Sequence, residues 1–330
     1  MKIAIITVTK DGKNLGEFIR NKLIDDNTII KVEIFHKNVK KSLIDCYTKF
    51  DCIIGIMATG IMVRNLCPLI RNKENDPAVL VIDEKGKHVI SLLSGHLGGA
   101  NKFTVKIADL IGSEPVITTS TDLNNKLGVD CLANKYYFKL KPVSSIKSIN
   151  SYLIKNQKVW IDYNSNYEYL WNDVNVSNSY EKGNNNSPKL IISNGYAEVE
   201  LKPKEIVMGL GSRKDISTEK VLKAINSAIA NLDIPIERIN TLATGEMKKN
   251  EHGILEAAKI LNKPLKIISE SALKEFTNPD LNDSEFVKSK FGIGGVCEPS
   301  SLIEAGINSK LILRKSSYNG VTVAIALSSN

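Results

Sequence analysis

Four histidines stand in the 330-residue chain, and one of them, His96, lies inside the run Ser94-Gly95-His96-Leu97-Gly98-Gly99-Ala100-Asn101. An imidazole in such a loop titrates near neutral pH and can act as general acid or base, or meet a metal that a ligand already carries. A plain turn role, with the ring bonded to backbone, competes with that reading. His36 and His88 fall in or beside apolar runs and read as surface residues, while His252 begins an exposed helix. Two carboxylates, Glu246 after Thr244-Gly245 and Glu298 after Gly294-Gly295-Val296-Cys297, sit where helices should start. The helix dipole alone favours a negative charge there, so capping competes with catalysis for both. Asp122 reads as the N-cap of a helix beginning near Leu123, and Cys297 as an inert buried thiol.

Glycine turns recur at the ends of apolar runs. Ala58-Thr59-Gly60 is followed by Arg64, the His96 loop by Lys102, and a third turn, Thr118-Thr119-Ser120-Thr121-Asp122, offers hydroxyls. Further along come Gly209-Leu210-Gly211-Ser212-Arg213-Lys214, Thr244-Gly245-Glu246 and Gly292-Ile293-Gly294-Gly295. In parallel α/β sheets, ligands gather beyond the carboxyl ends of the strands, where helix N-termini present free N–H groups to anions. Singly, each glycine is explained by a cap or tight turn. Together, with Arg64, Lys102 and Arg213 nearby, they point to a large anionic ligand. Position 214 is lysine, so the third glycine of the dinucleotide fingerprint is missing, and no Gly-Lys-Ser/Thr occurs; nucleotide binding is disfavoured on spacing.

The elements that must hold these turns are legible as alternating β-branched runs and amphipathic stretches. Strands are expected over 2–8, 29–35, 51–57, 79–82, 89–93 and 116–118, with helices between them. Leu15, Ile19 and Leu23, then Leu43, Ile44 and Tyr47, then Phe103, Ile107, Leu110 and Ile111 carry the helical spacing, the last ended by Gly112. Glu84-Lys85-Gly86-Lys87 marks a hairpin that turns one strand antiparallel. Residues 1–134 therefore read as a doubly wound α/β domain. Residues 135–202 read as a small α/β middle module with a helix over 145–155, strands over 158–163 and 189–193, and an exposed loop near 178–188. In a C-terminal α/β domain, 203–330, strands are expected over 205–210, near 238–242 and over 264–269. Its helices are placed at 217–231, 251–261 and near 298–305, before a closing hairpin of 310–315 with 321–327. The fold class is α/β: two β/α sandwich domains with mostly parallel sheets, plus the middle module.

Hydrophobic residues at 42% and charged residues at 24% exclude wholesale disorder and fibrous classes. No run approaches the ~20 apolar residues of a membrane span, and the start is too short in apolar residues for a signal peptide. Five cysteines at irregular spacing form no Cys-x-x-Cys pair, which argues against a disulfide framework or zinc knuckle and makes the cytoplasm the default. A net charge of +8 suits an anionic partner, but the lysines are scattered and aromatics make up only 6%. A polyanionic small molecule fits this as well as nucleic acid does.

Four blocks carry a resemblance: residues 58–64 (Ala58 to Arg64), 76–84 (Asp76 to Glu84), 91–101 (Ser91 to Asn101) and 115–119 (Pro115 to Thr119). They resemble the N-terminal half of the cobalt-precorrin-5A hydrolase family of anaerobic cobalamin synthesis. Residues 209–214, 242–244, 294–299 and 321–326 resemble its C-terminal domain, and the Ser-Gly-His-x-Gly-Gly-Ala-Asn run is the most specific element. Two departures stand out. Ser212 occupies the position where the family's glycine loop carries a cysteine, which excludes a thiol nucleophile there. Gly245-Glu246 replaces an Ile-Asp pair, so an aspartate role at that point passes to Glu246 or is absent.

The resemblance implies opening of the δ-lactone of cobalt-precorrin-5A and loss of acetaldehyde to give cobalt-precorrin-5B. Cobalt would arrive with the anionic tetrapyrrole substrate, so no cofactor and no protein-bound metal is expected. His96 or Glu298 is expected as the base, with Glu246 as a further catalytic carboxylate. The amides of 95–99 and 292–295 are expected as oxyanion donors. Thr59, Gly60, Arg64, Ser94, Gly95, Gly98, Gly99, Asn101, Thr119, Gly209, Gly211, Ser212, Arg213, Gly294 and Gly295 are expected to bind substrate in one cleft. The chain is compatible with a homodimer and with transient contacts to other enzymes of the pathway; no nucleic acid or membrane partner is expected. A non-catalytic corrinoid carrier or scaffold is the alternative, and a nucleotide-sensing regulator a weaker one.

Overall fold

The computed structural model describes residues 1–278, 281 and 295–329; Gly292 and Gly294 lie outside the described residues. The chain divides into two compact units, one formed by Met1–Asp26 with Lys31–Pro203, the other by Asn27–Ile30 with Lys204–Asn330. Among the described residues no helix is long and apolar enough to cross a membrane.

The first unit opens with strands β1 (Lys2–Thr7), β2 (Lys31–His36), β3 (Cys52–Ile56), β4 (Ala78–Ile82), β5 (His88–Leu93) and β6 (Glu114–Val116). They form one sheet in the order β2-β1-β3-β4-β5-β6. β3 and β4 are buried along their whole length, as continuous apolar runs in a sheet covered on both faces should be. Helices α1 (Lys10–Leu23), α2 (Val39–Cys46), α3 (Thr59–Leu66) and α4 (Ala100–Ile111) supply the crossovers. α4 begins after Gly99 at φ +80° and ends at Gly112 at φ +70°, both left-handed positions that glycine occupies without penalty.

One local feature decides the layout. After β4 the Asp83 carboxylate accepts the amides of Lys85, Lys87 and His88 at 3.0, 3.0 and 2.8 Å, and Gly86 adopts φ +66°. This tight turn sends β5 back antiparallel to β4, pairing Ile82 with Val89 and Val79 with Leu93, while every other neighbour in the sheet is parallel. The carboxyl end of β5 therefore emerges at the amino ends of β1, β3 and β4.

A second sheet, β7-β11-β10-β8-β9, belongs to the same unit. It contains β7 (Phe138–Lys141), β8 (Trp160–Asp162), β9 (Glu181–Lys182), β10 (Leu190–Ser193) and β11 (Glu198–Pro203), antiparallel except for β8 with β9. Three of these strands were not read from sequence: β7 and β11 alternate apolar and charged residues but over only four and six positions, and β9 has two residues. The segment 178–188 is exposed over most of its length, as expected, but it is anchored: β9 lies in it, Tyr163 N–H donates to the Asn184 carbonyl at 2.8 Å, and Ser187 N–H donates to the Tyr163 carbonyl at 3.0 Å. Backbone pairing anchors it where apolar side chains do not. Four helices complete this unit: α5 (Ser120–Leu123), α6 (Val129–Lys135), α7 (Ile146–Ile154) and α8 (Val174–Ser179). Val129 and Leu132 of α6 and Ile149 and Leu153 of α7 enter the core under this sheet.

The second unit has the sheet β14-β13-β12-β16-β15. β12 (Ile206–Ser212), β13 (Thr241–Gly245) and β14 (Leu265–Ile268) run parallel, and the hairpin of β15 (Lys310–Tyr318) and β16 (Val321–Leu327) adds antiparallel to β12. Its helices among the described residues are α9 (Thr218–Leu232), α10 (His252–Ile260), α11 (Glu270–Glu275) and α12 (Cys297–Ala305).

Candidate functional site

The loop between β5 and α4 folds on itself. Ser94 takes φ +57°, unusual for a residue with a side chain, and its hydroxyl donates to the Asp76 carbonyl at 2.9 Å. The amides of Gly99, Ala100 and Asn101 donate to the carbonyls of His96, Ser94 and Gly95 at 3.0, 3.1 and 3.0 Å. Of the amides expected as oxyanion donors, that of Gly99 is thus spent inside the loop, while those of Gly95, His96, Leu97 and Gly98 meet no acceptor among the described residues. A side chain at Gly98 would put its Cβ 2.6 Å from Ser94 Cβ and 2.9 Å from the Ser94 carbonyl oxygen.

This folding drives His96 inward, to 8% exposure, between two carboxylates. Nε2 lies 2.7 Å from Asp122 Oδ2 and Nδ1 lies 3.1 Å from Asp130 Oδ1. Ionised carboxylates only accept, so both ring nitrogens donate and the ring is an imidazolium. Burial alone would favour the neutral ring, but the hydrogen bonds and charges of Asp122 and Asp130 outweigh it and push the pKa up to about 12. Burial likewise penalises ionised Asp130, and its bonds to His96 and Asn150 reverse the balance and lower its pKa.

Around this core the polar groups are paired. Asn101 Nδ2 donates to Asp122 Oδ2 at 3.1 Å and to Thr119 Oγ1 at 3.0 Å, while Asn101 Oδ1 accepts the Ser91 hydroxyl at 2.7 Å. Asn134 Nδ2 donates to the His96 carbonyl at 2.9 Å. Asp122 is thus no helix cap; it lies within α5 and its carboxylate faces the imidazole. Asp130, Asn134 and Asn150, missed by sequence reasoning, come from α6 and α7. The signal available for Asp130 was only a carboxylate in the first turn of a short apolar-faced helix.

A pH dependence follows. A folded-state pKa raised above the ordinary histidine value of about 6.5 contributes stability that is complete below that pH and is lost as pH rises toward the folded value. Unfolding free energy should therefore fall between pH 7 and 10 with a component near one proton per pH unit. That component should vanish in His96→Ala, as denaturant titrations at several pH values would show.

Ser94, Gly95, Gly98, Gly99, Asn101 and Thr119 thus gather around His96, but Thr59, Gly60 and Arg64 do not. They follow β3, whose carboxyl end pairs with Ile82; Ile82 in turn pairs with Val89 at the start of β5, the opposite end of that strand from Leu93. The antiparallel turn at Glu84-Lys85-Gly86-Lys87 was expected, but the expectation of one common cleft did not follow it to its consequence, that the loop after β5 leaves the sheet at the other end from the loop after β3.

In the second unit the predicted residues do share an edge. Gly211 and Ser212 end β12, Arg213 follows it, and Glu246 follows β13 directly. Gly209 lies under the first turn of α12, and Gly211 and Gly245 both face Val296, next to Gly295. The Ser212 hydroxyl is buried with no partner among the described residues, while Arg213 N–H donates to the Gly320 carbonyl at 2.9 Å. Glu298 is not turned onto its own helix N-terminus; its Oε1 accepts the Lys315 amide at 2.9 Å. Burial raises its pKa, partly opposed by that amide. Glu246 serves as a cap for another helix: it accepts the Glu270 amide at 3.4 Å and pairs with Lys249 at 3.3 Å, and both lower its pKa. Cys297 is buried, and burial raises its thiol pKa to about 11, in line with an inert thiol.

Comparison with known proteins matches the family model "Cobalamin synthesis G N-terminal" to residues 41–122 and "Cobalamin synthesis G C-terminus" to residues 206–326. The chain is 34% identical to a probable cobalt-precorrin-5A hydrolase of Methanocaldococcus jannaschii, over 99% of each chain. It is 31% identical to the cobalt-precorrin-5A hydrolase of Salmonella typhimurium, over 85% of this chain and 83% of that one. A crystal structure of a cobalamin biosynthesis protein G homologue from Sulfolobus solfataricus superposes with a TM-score of 0.62 at 28% identity, covering 99% of this chain and 97% of that chain.

Proposed function

Because the chain belongs to the cobalt-precorrin-5A hydrolase family, we propose that it opens the δ-lactone of cobalt-precorrin-5A with water and releases acetaldehyde, leaving cobalt-precorrin-5B. The observation that carries this is similarity to named hydrolases along essentially the whole of both chains, not over one module. Water adds across the acyl–oxygen bond, giving a carboxylate and a secondary alcohol. Loss of the alcohol proton and cleavage of its bond to the macrocycle expel acetaldehyde, and the ring carbon takes up a proton. The cobalt belongs to the substrate.

The chemistry needs a proton acceptor, a proton donor and donors to the developing oxyanion. In the first unit His96 is set up to donate or to hold charge, not to accept a proton, because both nitrogens already donate. The acceptor role there falls to Asp122, whose side chain is 32% exposed while His96 and Asn101 fix one of its oxygens. Glu298 remains the carboxylate of the second unit suited to take a proton, since burial raises its proton affinity.

Carrying out the reaction in ¹⁸O-labelled water tests the proposal. One labelled oxygen should enter the new carboxylate, with acetaldehyde formed in equal amount; binding of the substrate without either product would support the carrier instead. Glu298→Gln and Asp122→Asn then separate the two carboxylates, and near-normal turnover in either removes that residue.

A further inference from the structure

The geometry points to Asp130, held by Asn150, as the positioning residue that fixes the orientation and proton count of His96 for the reaction. This rests on the hydrolase reading and deepens it. Asp130 is 6% exposed and offers Oδ1 both to His96 Nδ1 at 3.1 Å and to Asn150 Nδ2 at 3.0 Å. Asn150 Oδ1 in turn accepts the Val129 amide at 3.0 Å, which ties α7 to the first turn of α6. Leu97, the residue after His96, packs against the core under the second sheet, so the His96 loop is held from that side by an apolar contact as well. A nucleophile or base, its imidazole and a buried carboxylate on the far ring nitrogen form the usual order of a hydrogen-bonded catalytic chain. Here the near side of the imidazole holds Asp122, and Asp130 occupies the buried end.

The difference in exposure between the carboxylates assigns the roles. The Asp130 side chain is 8% exposed and that of Asp122 is 32% exposed, so only the second can meet substrate while the first acts through the ring. The groups facing His96 are Asp122 and Thr121 on α5, and Asp130 and Cys131 on α6. Tyr180, beyond α8, is electrostatically coupled to Asp130 and Cys131. Of these only Asp130 places an anion on Nδ1. Asn150 supports Asp130 without touching the ring.

The test is Asp130→Asn in the full chain, which keeps the volume and an acceptor for Nδ1–H but removes the charge. Two readouts apply. Nitrogen-15 chemical shifts of His96 should change from a ring protonated on both nitrogens throughout pH 6–9 to one that titrates within that range. Acetaldehyde release should lose about 100-fold in kcat with KM within about threefold, and the limb of the pH–rate profile should move to lower pH. Asn150→Ala should shift the His96 signals in the same direction by less. A folded Asp130→Asn protein whose His96 still carries both protons across the range, or whose kcat and pH profile match the parent, overturns the proposal. Should Asp130→Asn misfold, Asn150→Ala decides alone by the same two readouts. Asp122→Asn separates the two claims: undiminished turnover there removes the His96 cluster from the reaction, while the nitrogen-15 result still decides whether Asp130 governs the ring.

Discussion

Replacing His96 by alanine is expected to abolish measurable acetaldehyde release, by at least about 100-fold, and to destabilise the first unit by about 3 kcal/mol. The two effects share one cause. The imidazolium neutralises Asp130, which is 6% exposed, and fixes Asp122. Without it a buried carboxylate loses its ionic partner and keeps only uncharged donors, the amide of Asn150 and its own backbone N–H. Breaking a buried pair from one side costs more than the pair contributes, because the remaining charge is left in a poor solvent. His96→Ala combined with Asp130→Ala should therefore recover part of the stability while leaving turnover lost. Denaturant unfolding of the two single variants and the double variant measures this directly. If the double variant is less stable than His96→Ala by the full Asp130→Ala increment, the coupling between them is absent.

The second large effect is structural and lies in the other unit. At Gly209 a Cβ would stand 1.8 Å from the Cys297 carbonyl oxygen and 3.1 Å from Ser301 Cβ, because the first turn of α12 rests directly on β12. Backbone, not a flexible side-chain end, blocks the way, so either the helix or the strand must move. Gly209→Ala should cost about 3 kcal/mol, near the upper end for overpacking, and should displace Glu298 together with its helix. Gly60→Ala provides the contrast. Nothing stands within 4 Å of a Cβ there, the residue lies in α3, and the substitution should be neutral or stabilising by ~0.5 kcal/mol. Hydrogen exchange resolved by unit distinguishes the two, with lost protection in β12 and α12 expected for Gly209→Ala only.

The sequence makes the strand and helix alternation of both units plain, because β3, β4 and β16 are dense β-branched runs, β12 is an apolar run closed by a glycine turn, and α4 is bounded by glycines. The antiparallel turn at Lys85-Gly86 was also readable, yet its geometric consequence was not local. Reversing one strand moved the His96 loop to the other edge of the sheet from Thr59 and Arg64, and nothing in either segment alone reveals this. His96 was found because histidine is unusual in a glycine run. Its partners were not, since Asp130 and Asn150 sit on ordinary helices and come near the ring only through packing under the second sheet. Asp122 was visible but misassigned, because a carboxylate after Thr-Ser-Thr looks the same whether it caps a helix or faces an imidazole. In the middle module, β9 escaped because two exposed residues paired through backbone leave no side-chain signature, while β7 and β11 escaped because Phe138 with Leu140, and Val199 with Leu201, alternate with charged residues over too short a run.

The most direct test of the hydrolase reading is acetaldehyde counted against protein when the purified full chain meets excess cobalt-precorrin-5A. Many equivalents of aldehyde per chain, formed together with the opened macrocycle, are the predicted result. Saturable uptake of the macrocycle with no aldehyde above the protein-free rate would contradict it.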